Sequence, residues 1–248
     1  NSSPCPPKLS NKDLLACAQT GTGKTAAFLL PVLQKISDNP NHGEINALII
    51  VPTRELAVQI DNQIQGLGYF VGVSSIAIYG GGDGSSWDNQ KKALVHGADI
   101  IVATPGRFIA HLNQEYVKLN TVKHFILDEA DRMLDMGFYD DIKLIMKQLP
   151  ANRQNLMFSA TMPANIKKLT NDVLKNPEQI SLALSKPAEN IVQAAFLTYE
   201  GQKAELLKHL LKAKKMTSVI VFSSKKASVD QLTREFKKMG IQAEAIHS

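Results

Sequence analysis

Short apolar runs alternate along this chain with longer stretches in which apolar residues recur every three or four positions. The runs at 14–18, 47–51, 75–79, 100–103, 124–127 and 156–159 are apolar almost throughout, which predicts strands buried on both faces. The stretches 24–36, 54–68, 87–96, 106–111, 139–148 and 163–174 carry helical periodicity. Strand and helix in alternation predict an α/β fold, a parallel sheet with helices on both faces. Ligands of such sheets gather beyond the C-terminal ends of the strands, so the residues just past each run are where chemistry is expected.

The pattern breaks near residues 180–190, where SLALSKPAEN carries a proline among small polar residues and reads as a linker. Beyond it the alternation restarts with strand 193–199, helix 203–212, strand 218–223, helix 227–239 and strand 241–246. The expected organisation is a first domain over 1–185, a linker over 186–192 and an incomplete second domain of the same type over 193–248.

Composition narrows the picture. A chain of 248 residues buries a core without staples, and its two cysteines, Cys5 and Cys17, are too few for a disulfide framework. Cys17, in the strand run, reads as a small core residue. No Cys/His cluster has the spacing of a metal cage. The polar, proline-rich start does not look like a secretory leader, and no apolar run is long enough to cross a bilayer, so a soluble, cytoplasmic monomer is expected. The net charge of +5 is uneven: 17 basic and 17 acidic residues cancel before Lys186, and 11 basic against 6 acidic follow from there. A basic segment suits a polyanion partner. Equally, Lys212, Lys214, Lys215, Lys237 and Lys238 fall where helices should end and cations offset the helix dipole.

Two segments carry nucleotide chemistry. Ala18-Gln19-Thr20-Gly21-Thr22-Gly23-Lys24-Thr25 lies between a strand run and a helical stretch and follows the P-loop pattern, with Ala18 in place of its first glycine. Gly21 and Gly23 let backbone N–H groups approach a triphosphate, and the following helix points its positive end at it. Lys24 is expected to reach the β- and γ-phosphates, and the Thr25 hydroxyl to ligate Mg²⁺. Asp128-Glu129-Ala130-Asp131 follows the strand run HFIL. Asp128 there suits Mg²⁺, and Glu129 suits the proton of an attacking water. The same acids would also serve as a plain helix start.

With these residues in hand the chain resembles the DEAD-box ATP-dependent RNA helicases of superfamily 2 over nearly its whole length. The resemblance rests on AQTGTGKT, PTRELA (52–57), Gly81-Gly82, TPGR (104–107), DEAD (128–131), SAT (159–161) and VIVFSS (219–224), in the family's order. YGGGDGSSW and LDEADRMLDMGF are similar to the RhlE-type bacterial branch. The resemblance implies a RecA-like P-loop NTPase sheet plus part of a second RecA-like domain, with ATP and Mg²⁺ bound and RNA as partner. It implies RNA contacts at Pro52, Thr53, Arg54, Glu55, Gly81, Gly82, Thr104, Pro105, Gly106, Arg107 and Ser223. These side chains and N–H groups suit phosphates and sugars rather than bases, so binding independent of sequence is expected. From the residues alone, Arg54 and Glu55 are a helix-start ion pair and Pro105-Gly106 a turn. The resemblance also implies that Ser159, Ala160 and Thr161 link to Asp131 and couple nucleotide state to unwinding.

Two departures stand out. Asn1 falls near where the family carries an adenine-reading glutamine, so that motif is expected to be missing. The arginine finger of the family's later motifs would lie beyond Ser248, and such a group is worth about a thousandfold or more in turnover. The expected activity is therefore ATP-driven domain closure that unwinds RNA locally, impaired in the chain as it stands. One alternative is an RNA-binding fragment without hydrolysis, and another is a P-loop phosphotransferase acting on a small metabolite. Trp87, a solitary tryptophan on a helical stretch, reads as packing rather than as a base platform.

Overall fold

The computed structural model describes residues 12–18, 23–40, 43–81, 84–181, 192, 194–213 and 216–247. The chain divides into two compact units, Asn1–Lys186 and Pro187–Ser248. The 186–192 linker, apart from Val192, lies outside the described residues.

The first unit is built on seven parallel strands: β1 Leu14–Cys17, β2 Ala47–Ile50, β3 Ser75–Ile78, β4 Ile100–Ala103, β5 His124–Leu127, β6 Gln154–Ser159 and β7 Glu178–Ser181. They stand in the order β3-β4-β2-β5-β6-β1-β7. Seven helices cover them: α1 Lys24–Asp38, α2 Arg54–Gly68, α3 Gly84–His96, α4 Pro105–Leu112, α5 Ala130–Asp135, α6 Tyr139–Lys147 and α7 Ala164–Val173.

Every residue of β2, β4, β5 and β6 is buried. Alternation sends Ala47, Ile49, Ile100, Val102, Ile126, Leu156 and Phe158 to the face covered by Phe28, Leu29 and Val32 of α1 and Ile60 and Ile64 of α2. Leu48, Ile50, Ile101, Phe125, Leu127 and Met157 pack the opposite face with Phe108, Met133, Ile142, Ile145, Ile166 and Leu169. A sheet buried on both faces demands strands apolar throughout, which is why these runs were legible.

Two elements escape the sequence pattern. β7 has the sequence EQIS with three exposed residues, the polar profile of an edge strand paired on one side only. α5 is six residues long and begins inside the acidic tetrad, too short for periodicity to show. Where β1, β6 and β7 begin, the buried Asp13 carboxylate accepts from the backbone N–H groups of Asn155 and Lys175 at 2.7 Å each and from Asn155 Nδ2 at 2.9 Å. A buried carboxylate satisfied three times fixes strand ends that are distant in sequence.

The second unit corrects the sequence reading. Its helices α8, Lys203–Ala213, and α9, Lys226–Lys238, form as expected and are joined by Lys208 Nζ and Glu235 Oε2 at 2.9 Å. The expected strands 193–199, 218–223 and 241–246 are not strands among the described residues. Ile220, Phe222 and Ile246 on those runs are exposed by 80%, 92% and 93%. An apolar run becomes a strand only when a neighbour takes its backbone hydrogen bonds and layers cover its side chains; among the described residues these runs pair with no neighbouring strand, and alternate side chains stand in solvent. No helix among the described residues is long and apolar enough to cross a membrane. No group of three or more His, Cys, Asp or Glu among them is arranged to hold a metal ion.

Candidate nucleotide site and nucleic-acid interface

The motifs singled out in the first unit begin at or beyond C-terminal strand ends, Ser159 being the last residue of β6, and the sheet order sorts them into two groups. The P-loop follows β1, SAT follows β6 and DEAD follows β5, three adjacent strands; PTRELA follows β2, TPGR β4 and the glycine pair β3, the other three.

In the first group, Ala18 is buried and donates its N–H to Ser159 O at 3.0 Å, tying the start of the loop to β6. Gln19, Thr20, Gly21 and Thr22 lie outside the described residues. Gly23 precedes α1 with φ of +82°, a left-handed conformation that glycine adopts without strain. Gly23, Lys24 and Thr25 then share a cavity of about 690 Å³ with Asp128 and Glu129, further lined by Leu56, Gln59, Gln63 and Leu67. Lys24 Nζ is buried and has no hydrogen-bond partner among the described residues. A buried ammonium without an acceptor is costly and is found where a ligand supplies the acceptor.

Asp128 is 3% exposed. Burial pushes its carboxyl up to about 6, against the opposing pull of the Lys24 cation and of the Glu129 N–H, which donates to Asp128 Oδ1 at 3.0 Å. Glu129 has φ of +53°, a conformation that costs a non-glycine residue about 1 kcal/mol or more and persists where surroundings enforce it. Its carboxylate meets Arg132 Nη1 at 3.3 Å. Asp131 accepts twice at Oδ2, from Thr161 N–H at 3.0 Å and from Thr161 Oγ1 at 2.9 Å, while Ser159 Oγ donates to Thr161 O at 2.7 Å. Ala160 lies between them, its carbonyl accepting a weak contact from Cys17 Sγ at 3.7 Å. The acidic tetrad is thus both a helix start, with Glu129 preceding α5, and a set of three carboxylates with separate surroundings. Thr25 and Asp128 offer hard oxygen donors to Mg²⁺, and Lys24 offers a cation to phosphate oxygens.

In the second group, Pro52 is buried and the Thr53 hydroxyl caps α2 by accepting from Leu56 N–H at 3.4 Å. Glu55 is exposed on the first turn. Arg54 turns to Tyr79, its guanidinium carbon 4.8 Å from the ring centroid. Gly81 has φ of +86°, and a Cβ there would stand 3.8 Å from Arg54 Nη1. Gly82 lies outside the described residues. Thr104 precedes α4, where Pro105 takes the first helical position. Pro105-Gly106 is therefore a helix start rather than a turn, since proline's missing N–H costs nothing there. Arg107 Nε donates to Gln90 Oε1 at 2.9 Å, and Gln90 Nε2 donates to Tyr79 O at 3.2 Å. Arg54 and Arg107 thus belong to one connected surface. Ser223 lies in the second unit, exposed, beside a cavity lined by Glu200, Lys203 and Lys225.

Gln90 and His111 were not visible as functional candidates. Gln90 is 4% exposed, yet on a polar helix a glutamine looks like solvent-facing surface. A buried hydrogen-bonding hub leaves no signature in periodicity.

Sheet order, with Lys24 beyond β1 and Asp128 beyond β5 on one cavity and β6 between the two strands, puts the first unit in the RecA-like class of P-loop folds. Within that class the chain belongs to the DEAD/DEAH box helicase family, whose profile matches residues 3–169. It is 42% identical over 240 residues to the ATP-dependent RNA helicase CshA of Listeria monocytogenes, covering 96% of this chain and 45% of that protein. It is 38% identical over 243 residues to the ATP-dependent RNA helicase DbpA of Bacillus subtilis, covering 98% and 50%. The crystal structure of a DEAD box protein from the hyperthermophile Methanococcus jannaschii superposes with a TM-score of 0.64 at 37% identity, covering 96% of this chain and 62% of that one. The chain spans about half the length of the curated relatives it matches.

Proposed function

We propose that this chain is the ATP-binding portion of an ATP-dependent RNA helicase, carrying the first motor domain and part of the second. The observation that carries the reading is the Lys24 ammonium, buried without a hydrogen-bond partner among the described residues on a cavity shared with Asp128 and Glu129. Lys24 would donate to the terminal phosphate oxygens of ATP, and Thr25 and Asp128 would hold Mg²⁺. When bound, Mg²⁺ would neutralise phosphate charge and steady the leaving group. Glu129, held in its left-handed conformation, would orient the attacking water and accept its proton. Asp131 would report the state of this site through Thr161 to the strand end of β6.

RNA would lie along the other three strand ends, with Arg54 and Arg107 on successive phosphates and the N–H groups of the Thr53, Gly81 and Thr104 loops on phosphate and sugar oxygens. Nucleotide and RNA would then share one sheet edge, the arrangement needed for hydrolysis to change the grip on RNA. Release of inorganic phosphate from ATP–Mg²⁺, with and without polyuridylate, tests the reading. Hydrolysis raised by RNA is expected. ATP binding with no hydrolysis under either condition would favour an RNA clamp, and stimulation by a small metabolite instead of RNA would favour a phosphotransferase.

A further inference from the structure

Trp87, the chain's single tryptophan, is half-buried on α3. Its indole stacks on the His111 imidazole with centroids 3.9 Å apart and 13° between planes. The Arg107 guanidinium carbon stands 4.3 Å from the same indole. Gln90 Oε1 joins the partners from the side, accepting from Arg107 Nε at 2.9 Å and facing His111 Nε2 at 3.0 Å. The Gln90 oxygen can only accept, so His111 carries its proton on Nε2 and turns Nδ1 to the Tyr116 hydroxyl. Burial, with Arg107 adding to it, holds the imidazole down at about 4, so the ring stays neutral beside the guanidinium at physiological pH.

We propose that Trp87 and His111 form a stacked platform that presets the Arg107 guanidinium for a backbone phosphate of RNA, making Trp87 a positioning residue of the nucleic-acid surface. The proposal rests on the reading of Arg107 as an RNA contact. Its physical basis is entropic and directional. A surface arginine loses rotamer freedom when it grips a phosphate, and a side chain already fixed at Nε and over an aromatic face has lost most of it beforehand. The Nη groups make no hydrogen bond to any described residue, so the phosphate-binding fork stays available while its stem is held. Trp87 therefore packs, as its solitary place on a helix suggests, and what it packs is the arginine.

The test is a double-mutant cycle on the 248-residue chain, read by fluorescence anisotropy of a labelled oligouridine. Trp87→Leu is expected to weaken binding by about three- to tenfold, the worth of a partly desolvated cation–π contact, and Trp87→Phe to restore most of that loss. In the Arg107→Ala background Trp87→Leu should add nothing, because the platform acts only through the arginine. The emission of the lone tryptophan should move on adding oligouridine to the parent and stay fixed in Arg107→Ala. Equal loss from Trp87→Leu in both backgrounds, with Arg107→Ala itself weakened, would overturn the platform and leave the arginine contact standing. Parent-like binding by Arg107→Ala would overturn the contact reading and the platform with it. No binding by the parent would refute both.

Discussion

At the β5-β6-β1 end of the sheet edge the cation is Lys24, whose Nζ is buried with no hydrogen-bond partner among the described residues, whereas at the β3-β4-β2 end the cations are Arg54 and Arg107, each over an aromatic ring. The lysine site holds an unmet acceptor requirement inside the fold. The arginine surface has met half of its requirement with Tyr79, Gln90 and Trp87 and leaves the rest in solvent. On the proposed function one fold would provide two ways of holding phosphate: a buried cation whose acceptor the ligand brings, and a surface ordered beforehand. The first suits a bound ligand that must be gripped and released, the second a long polyanion met transiently along its backbone.

Asp128 offers the largest effect with which to sharpen this contrast. Its carboxyl sits at about 6 in the fold against an ordinary 3.8. Between those values the folded state keeps a proton that the unfolded state has released, so this group's contribution to stability falls as pH rises through the window. Asp128→Asn keeps an acceptor for the Glu129 N–H without the charge. It is expected to exceed the parent in stability near neutral pH by on the order of 2–3 kcal/mol, and to lose that advantage below about pH 4. Urea unfolding across that range reads the difference; an equal advantage at every pH would contradict it. His124 runs the other way, since burial first and then nearby Lys35 lower its imidazole from 6.5 to about 4. It withdraws stability as pH falls through that interval, so only the difference between variant and parent isolates Asp128.

Arg107 comes next. Arg107→Ala is expected to weaken oligouridine binding by about tenfold, the upper worth of one charge-assisted phosphate contact in solvent, and to reduce the slope of log affinity against log salt by about 0.7. Affinity titrations at several salt concentrations check it. An unchanged slope would place Arg107 away from the phosphates.

Most of the fold was legible because the sheet is buried on both faces: runs such as ALII and IIVA admit no other reading once helices of matching length separate them. The second unit shows the limit of that logic. VIVFSS is as apolar as a central strand, but strandness depends on neighbours that the run itself does not encode. At the candidate site, the P-loop and the acidic tetrad were visible because their spacing is local. Gln90 and His111 were not, because a hub that joins α3, α4 and the end of β3 is a property of the packing. The resemblance to a helicase family supplied Arg54 and Arg107; local chemistry alone reads Arg54 with Glu55 as an ion pair and Pro105-Gly106, just before Arg107, as a turn.

A smaller effect probes the link between the β6 and β5 strand ends within the Lys24 group. Thr161→Val removes the hydroxyl bond to Asp131 Oδ2 and keeps the N–H bond. It is expected to cost about 1 kcal/mol in urea unfolding or less, because the bond is exposed. ATP hydrolysis without RNA should change less than the stimulation that RNA adds. Equal loss of both rates would contradict a coupling role.

Thermal melting of Lys24→Met, with and without ATP–Mg²⁺, tests the central claim most directly. Methionine fills similar space without a charge, which removes the cost of the buried ammonium, while the lost pull on Asp128 raises that carboxyl further and offsets part of the gain. The ligand-free variant is therefore expected to melt higher than the parent by about 2–8 °C, the equivalent of 1–2 kcal/mol for a chain of this size, and nucleotide should no longer raise its midpoint. A ligand-free variant that melts lower than the parent, with the nucleotide-induced rise intact, would show that Lys24 is a structural cation and not the residue waiting for a phosphate.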